Sequence, residues 1–316
     1  MSSLERAVVA VVRECLDVKG GEEVLVISNP VTHELGERLR SESARAGADA
    51  VLAVMDERAS HAAEPPDALA AAMAASDVVL APTVQSLSHT AARKAASERG
   101  ARIGTLPGVT EEMLARVMSA DMEGLRRKGR ALADALTGAS EARITCANGS
   151  DLRLGLEGRE AISDAGELST PGAFGNLPCG EGFIAPVEGT CEGPLVVDGS
   201  IAAVGIPDEP VTLTVAAGRL ADATGAAGAR LMELLTEHGP EATTVAELGI
   251  GSNEKATLTG NVLEDEKILG TVHVAFGASA AIGGTVQVPV HLDCVAMKPD
   301  VALDGEPVVR AGELLV

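Results

Sequence analysis

The residues with the most chemistry in this chain are two histidines and one closely spaced aspartate. Val288-Pro-Val-His291-Leu-Asp293-Cys-Val295 is an apolar, strand-like run. Residues two apart on a strand point to one face. His291 and Asp293 therefore project together, while Val290, Leu292 and Cys294 face the other way. An imidazole and a carboxylate on one apolar strand are costly unless they are satisfied. A His–Asp hydrogen bond would do so, and so would a metal ion. His273 sits in another β-like segment, Gly270-Thr-Val-His273-Val-Ala-Phe-Gly277. Carboxylates stand in two glycine-punctuated stretches. One is Asn176-Leu-Pro-Cys-Gly-Glu181-Gly-Phe-Ile-Ala-Pro186, and the other places Glu247 at the end of a short β-like run, just before Gly249 and Gly251. Two His and several carboxylates suit Zn²⁺, Mn²⁺, Co²⁺ or Fe²⁺.

These groups lie in the second half of the chain, and the two halves are patterned differently. Up to about residue 138, helical and strand patterns alternate. Apolar strands are expected at 23–28, 49–55, 77–82 and 102–106. Helices are expected at 3–18, 31–46, 66–75, 87–99 and 110–118, with a further helical stretch at 121–138. Such alternation predicts a parallel, Rossmann-like β/α sheet. After 139 the punctuation changes. Asn148-Gly149, Asp198-Gly199 and Asp304-Gly305 are tight-turn dipeptides between β-rich runs, and only 225–237 reads as a helix. The expected fold is α/β, with a parallel β/α domain over 1–138. A mainly antiparallel β domain over 139–316 carries the candidate site.

The first domain lacks nucleotide signatures. Ser28-Asn-Pro-Val-Thr32 follows the first strand without a glycine cluster, and the chain contains no Gly-Lys-Ser/Thr and no Gly-x-Ser-x-Gly. His33, His61 and His89 are scattered there and read as surface or loop residues. The net charge is −21, and it is concentrated after residue 140, where it reaches −17. Such a chain repels polyanions, so nucleic acid and anionic membrane are not expected partners. Base-stacking surfaces are also scarce, because the only aromatics are Phe174, Phe183 and Phe276. Five cysteines without a Cys-x-x-Cys pair fit reduced thiols. With no signal-like N-terminus and no apolar run long enough to span a bilayer, a cytoplasmic location is expected.

The ordered motifs carry a resemblance. Asn176-Leu-Pro-x-Gly-Glu181, Glu247-Leu-Gly-Ile-Gly-Ser-Asn253, Leu263-Glu-Asp-Glu-Lys267, Gly270-Thr-Val-His273-Val-Ala-Phe-Gly277 and His291-Leu-Asp293 span 176–293. Together they resemble the aminopeptidase T family, the thermophilic-type M29 metalloaminopeptidases. The resemblance implies a two-metal centre held by Glu181, Glu247, His273, His291 and Asp293, in a homodimer. It implies a hydrolase that cleaves the amide of a small-molecule or short-peptide substrate with a metal-activated water. Glu181 or Glu247 would be the general base, and Zn²⁺, Co²⁺ or Mn²⁺ the metal. Glu264, Asp265 and Glu266 read as supporting or helix-start groups.

The chain departs from that family in one respect above all. The characterised peptidases carry a tyrosine shortly after the first ligand His, and this chain has no Tyr. Related folds include an iron-dependent ring-cleaving dioxygenase acting on dihydroxypyridine. Under that alternative His273, His291 and Asp293 form a mononuclear Fe²⁺ site. A third alternative is a catalytically degenerate member that only binds a ligand.

Overall fold

Short apolar runs and capped helices build the first unit. The computed structural model describes residues 1–316. Strands Glu23–Ser28, Asp49–Val54, Val78–Ala81 and Arg102–Thr105 pair in parallel, with Asp49–Val54 at one edge. Val78–Ala81 and Arg102–Thr105 are buried along their whole length, as central strands covered on both faces must be. Ser2 and Glu5 form a reciprocal capping box, and the Thr90 and Thr110 side chains accept from the N–H groups of Arg93 and Met113. Leu25, Ile27, Met73, Val79, Leu87 and Ile103 pack in the core of this unit.

A fifth strand, Phe174–Asn176, joins this sheet beside Arg102–Thr105. Phe-Gly-Asn has no apolar run to announce it. The first unit is therefore discontinuous, Met1–Met122 plus Gly166–Cys179, and the second is Glu123–Ala165 plus Gly180–Val316. Sequence patterning, which reads one neighbourhood at a time, places a single boundary at 138/139.

The second unit is mainly antiparallel. Asn148-Gly149 joins Glu141–Thr145 to Asp151–Gly155, and Asp304-Gly305 joins Asp300–Leu303 to Glu306–Arg310. Asp304 and Gly305 have φ of 48° and 89°, the positive values that a two-residue hairpin turn needs. Asp198-Gly199 does not close a hairpin. The Asp198 carboxylate accepts the Met297 N–H at 2.7 Å, and the paired strands Gly193–Val197 and Val211–Ala216 are joined by a longer connection. The expected helix forms as Gly225–Thr236, and an unexpected single turn, Val262–Asp265, is capped by Asn261.

The sheet that positions the candidate site has the order His291–Ala296, Val272–Gly277, Val245–Gly251, Glu181–Ile184, Ile162–Asp164, all antiparallel. Its inner face sends Ile184, Leu248, Ile250, Val272, Val274, Phe276, Leu292 and Cys294 into the core of the unit. No helix is long and apolar enough to cross a membrane.

Candidate metal centre

The polar face of that sheet gathers the donors. Strand alternation puts Glu181, His273, His291 and Asp293 opposite the core-facing residues. Glu247 joins them because of a bulge. Val245 stands opposite Phe276, yet Glu247 stands opposite Ala275, so Ala246 is the extra residue. In unbroken register Glu247 would face Val274 and point into the core.

Two glycines make the geometry possible. Gly180, just before Glu181, has φ +140°, a conformation L side chains rarely adopt. Gly249 lies directly across from His273, and a Cβ built on it would sit 2.0 Å from the His273 Nε2 and 2.2 Å from Cε1. The imidazole thus lies over the neighbouring strand and reaches Glu181 on the strand beyond.

The donor distances are short. His273 Nε2 is 3.1 Å from Glu181 Oε2 and 3.2 Å from Glu247 Oε1. His291 Nε2 is 3.4 Å from Glu247 Oε2 and 3.5 Å from Asp293 Oδ1. Glu247 therefore offers one oxygen to each imidazole. Bonds of about 2.0–2.2 Å to a shared metal would space neighbouring donors by roughly 3.0–3.5 Å, so the residues present fit a divalent cation. Glu181 Oε2 and His273 Nδ1 are buried without a hydrogen-bond partner, and positive charge gathered in the cluster would offset that cost for the carboxylate. The His291 Nδ1–H donates to the Ala278 carbonyl at 2.7 Å, which leaves Nε2 as the ligand nitrogen. All five sequence-nominated residues meet here, and Glu266 approaches His273 and Asp293 as a further donor.

A buried lysine completes the cluster. Lys267 has no exposed surface, and its Nζ lies 2.5 Å from Glu181 Oε1 and 3.7 Å from Asp164 Oδ2, with Glu266 as a third partner. Burial opposes its charge, but the carboxylates of Glu181, Glu266 and Asp164 prevail and hold the ammonium well above its ordinary range. Burial pushes Glu266 up to about 8 and Asp164 up to about 7, with Lys267 partly opposing both shifts. Burial also opposes ionisation of Glu247, yet hydrogen bonds from His273 and His291 hold it at about 2. Both imidazoles are raised well above their usual value against their own burial, His273 chiefly by Glu181 and His291 chiefly by Asp293. The cluster thus has a strong field for cations, which protons fill when no metal does.

Sequence reasoning missed Lys267 and Asp164 as members of the centre. Lys267 did carry a signal: it ends the charged run Glu264-Asp265-Glu266-Lys267, set between the apolar pairs Val262-Leu263 and Ile268-Leu269. Asp164 carried none. Glu264 and Asp265 have structural roles, accepting N–H groups from Thr257, Thr259 and Gly260. Phe276 is core, Phe174 lies under the Arg93 guanidinium at 4.1 Å, and partly exposed Phe183 shares the polar face with Glu181. His33, His61 and His89 are exposed residues of the first unit.

Comparison with known proteins places this arrangement in a family. The NicX family, 2,5-dihydroxypyridine 5,6-dioxygenase, matches residues 6–316, and the chain belongs to it. The 2,5-dihydroxypyridine 5,6-dioxygenase of Pseudomonas putida is 26 % identical over 263 residues, covering 77 % of this chain and 72 % of that protein. The solved structure of 2,5-dihydroxypyridine dioxygenase from Pseudomonas putida superposes with a TM-score of 0.88 at 21 % identity, covering 100 % of this chain and 98 % of that one. AmpT from Thermus thermophilus superposes at 0.74 with 19 % identity, covering 99 % of each chain.

These matches overturn the expected hydrolase. The chain is a member of an enzyme family named for ring dioxygenation, and the assignments as aminopeptidase, metalloprotease and M29 member do not stand. The likeness to AmpT is one of fold. The motifs behind the expectation describe how strands present carboxylates and imidazoles, and a fold held in common preserves that pattern across different reactions.

Proposed function

We propose that this chain is an iron-dependent ring-cleaving dioxygenase that inserts both atoms of O₂ across one ring bond of 2,5-dihydroxypyridine or a close analogue. The observation that carries the reading is the family match along residues 6–316. The donor chemistry agrees with it. His273, His291 and Asp293 provide two imidazoles and a carboxylate, the set used by non-haem iron oxygenases, and Glu247 stands against both imidazoles. Bound ferrous iron supplies the one-electron chemistry that lets O₂ react with a closed-shell ring.

The chain's own residues hold this arrangement in place. Ala278 fixes the His291 tautomer through its carbonyl. Glu181 and Glu247 are both held ionised, so they contribute charge and orientation. Phe183 offers an aromatic surface to a planar ring from the same sheet face. The assembly proposed is a homodimer with a small-molecule substrate.

The test is anaerobic loading with Fe²⁺, followed by 2,5-dihydroxypyridine and O₂. One O₂ consumed per ring lost, with both atoms of ¹⁸O₂ in the product, is the expected result. His291→Ala and Asp293→Asn should each reduce turnover by at least about 10². Folded, iron-loaded protein that takes up no O₂ with this ring or its substituted analogues would refute the proposal.

A further inference from the structure

Lys267 is among the largest fully buried side chains in the molecule. Its position is fixed by its own backbone: the Lys267 N–H donates to the Glu264 carbonyl at 2.9 Å, and the Lys267 carbonyl accepts the Asn253 N–H at 2.9 Å. With the main chain held there and Nζ bonded to Glu181 and Glu266, the ammonium group is anchored inside. It reaches into a cluster with more donors than one metal ion needs. Three donor triads have their ligand atoms within 4.8 Å of one another: Glu181/Glu247/His273, Glu266/His273/Asp293 and Glu247/His291/Asp293.

Lys267 divides these triads. It binds Glu181 in the first and Glu266 in the second, and it touches no member of the third. We propose that Lys267 is a built-in cation that limits the centre to one metal ion, by taking up the carboxylates of Glu181 and Glu266 that would otherwise hold a second. The inference rests on the one-metal reading above and names the residue that enforces it. A compact ammonium suits this role. It donates hydrogen bonds from one point to Glu181 and Glu266 and keeps its charge 3.7 Å from Asp164, whereas a planar guanidinium would not fit the same point. With Lys267 in place, the triad free of lysine contact is Glu247/His291/Asp293, and His273, within 4.8 Å of Asp293 and 3.2 Å from Glu247, stands beside it as the second imidazole for the same ion. A second divalent ion at Glu181 would stand beside a fixed positive charge that already holds that carboxylate's other oxygen.

The experiment is metal stoichiometry on the full-length chain, loaded with excess Mn²⁺, desalted, and measured by elemental analysis and electron paramagnetic resonance. The wild type should retain one Mn²⁺ per chain and show an isolated-ion spectrum. Lys267→Met should retain two, with the spectrum of an exchange-coupled pair, and its melting temperature should rise more on Mn²⁺ addition than that of the wild type. Two ions in the wild type would overturn the inference, as would a folded Lys267→Met variant that still holds one. Should Lys267→Met not fold, Lys267→Gln, which keeps a hydrogen-bond donor but not the charge, takes its place: two ions uphold the inference, and one defeats it. The readout is independent of turnover. One bound ion without ring cleavage sinks the proposed reaction and leaves the role of Lys267 standing.

Discussion

Gly249→Ala tests the geometry of the centre with a single methyl group. Gly249 has a backbone conformation open to L residues, since its φ is not in the left-handed region, so alanine brings no strain of its own. Its Cβ would nevertheless lie 2.0 Å from His273 Nε2, and such contacts do not fall below 3.0 Å. The ring must therefore retreat by about 1 Å or more. Metal–ligand bonds tolerate departures of about 0.2 Å. A shift five times larger removes His273 as a donor and breaks its 3.1 and 3.2 Å approaches to Glu181 and Glu247. Loss of a supporting contact alone costs about 10–100-fold in metal affinity, so loss of the imidazole should cost more than about 100-fold. The overpacking itself should destabilise the metal-free fold by about 1–3 kcal/mol. Competition titration with a chromophoric chelator gives the affinity, and thermal melting with and without metal gives the stability. A Gly249→Ala protein that binds metal within about threefold of the wild type would refute the claim that His273 must lie over residue 249.

Two further predictions follow from the titratable groups. Because both imidazoles are raised well above 6.5, the protons they hold stabilise the metal-free fold below the unfolded histidine value, and that stability is lost as pH rises through the raised folded values. Metal must displace these protons, so its apparent affinity should climb with pH by up to about two decades per unit, and calorimetry in buffers of different ionisation heat should show proton release; a pH-independent affinity from 6 to 8 would contradict this. Among the cysteines, Cys15, Cys179, Cys191 and Cys294 are buried, and burial pushes the Cys191 thiol up to about 12, so a thiol reagent at pH 8 should modify Cys146 alone in the folded chain and all five after denaturation. A second thiol reacting at the Cys146 rate would show that its unit, the first for Cys15 and Cys179 and the second for Cys191 and Cys294, opens more readily than its packing implies.

How much of this centre was legible in the sequence depends on the range of the interaction that sets each residue. His291 and Asp293 needed only the two-residue period of a strand, and their common face follows from local geometry. The four consecutive strands of the parallel sheet were equally legible, because each is a short apolar run between helices. Glu247 was nominated for its glycine-rich surroundings, but its arrival on the polar face depends on a bulge at Ala246, defined only by pairing with Val272–Gly277. Phe174–Asn176 is a strand only because Arg102–Thr105 offers an edge.

Lys267 marks where local reading fails. A lysine in a charged run is ordinarily solvated, and the apolar pairs that flank this run do not say which of its four charges points inward. Its burial is decided by Glu181 and Asp164, which are far away in the sequence, and the proposed one-metal centre turns on the same feature. Counting donors leads toward two metals and a hydrolase, because five ligand-type side chains exceed what one ion requires. The fixed ammonium among them changes the count, since a carboxylate already held by a buried cation is no longer free to demand another. The number of metals that such a cluster holds is set by its net charge and geometry together, and neither is visible until the strands are paired.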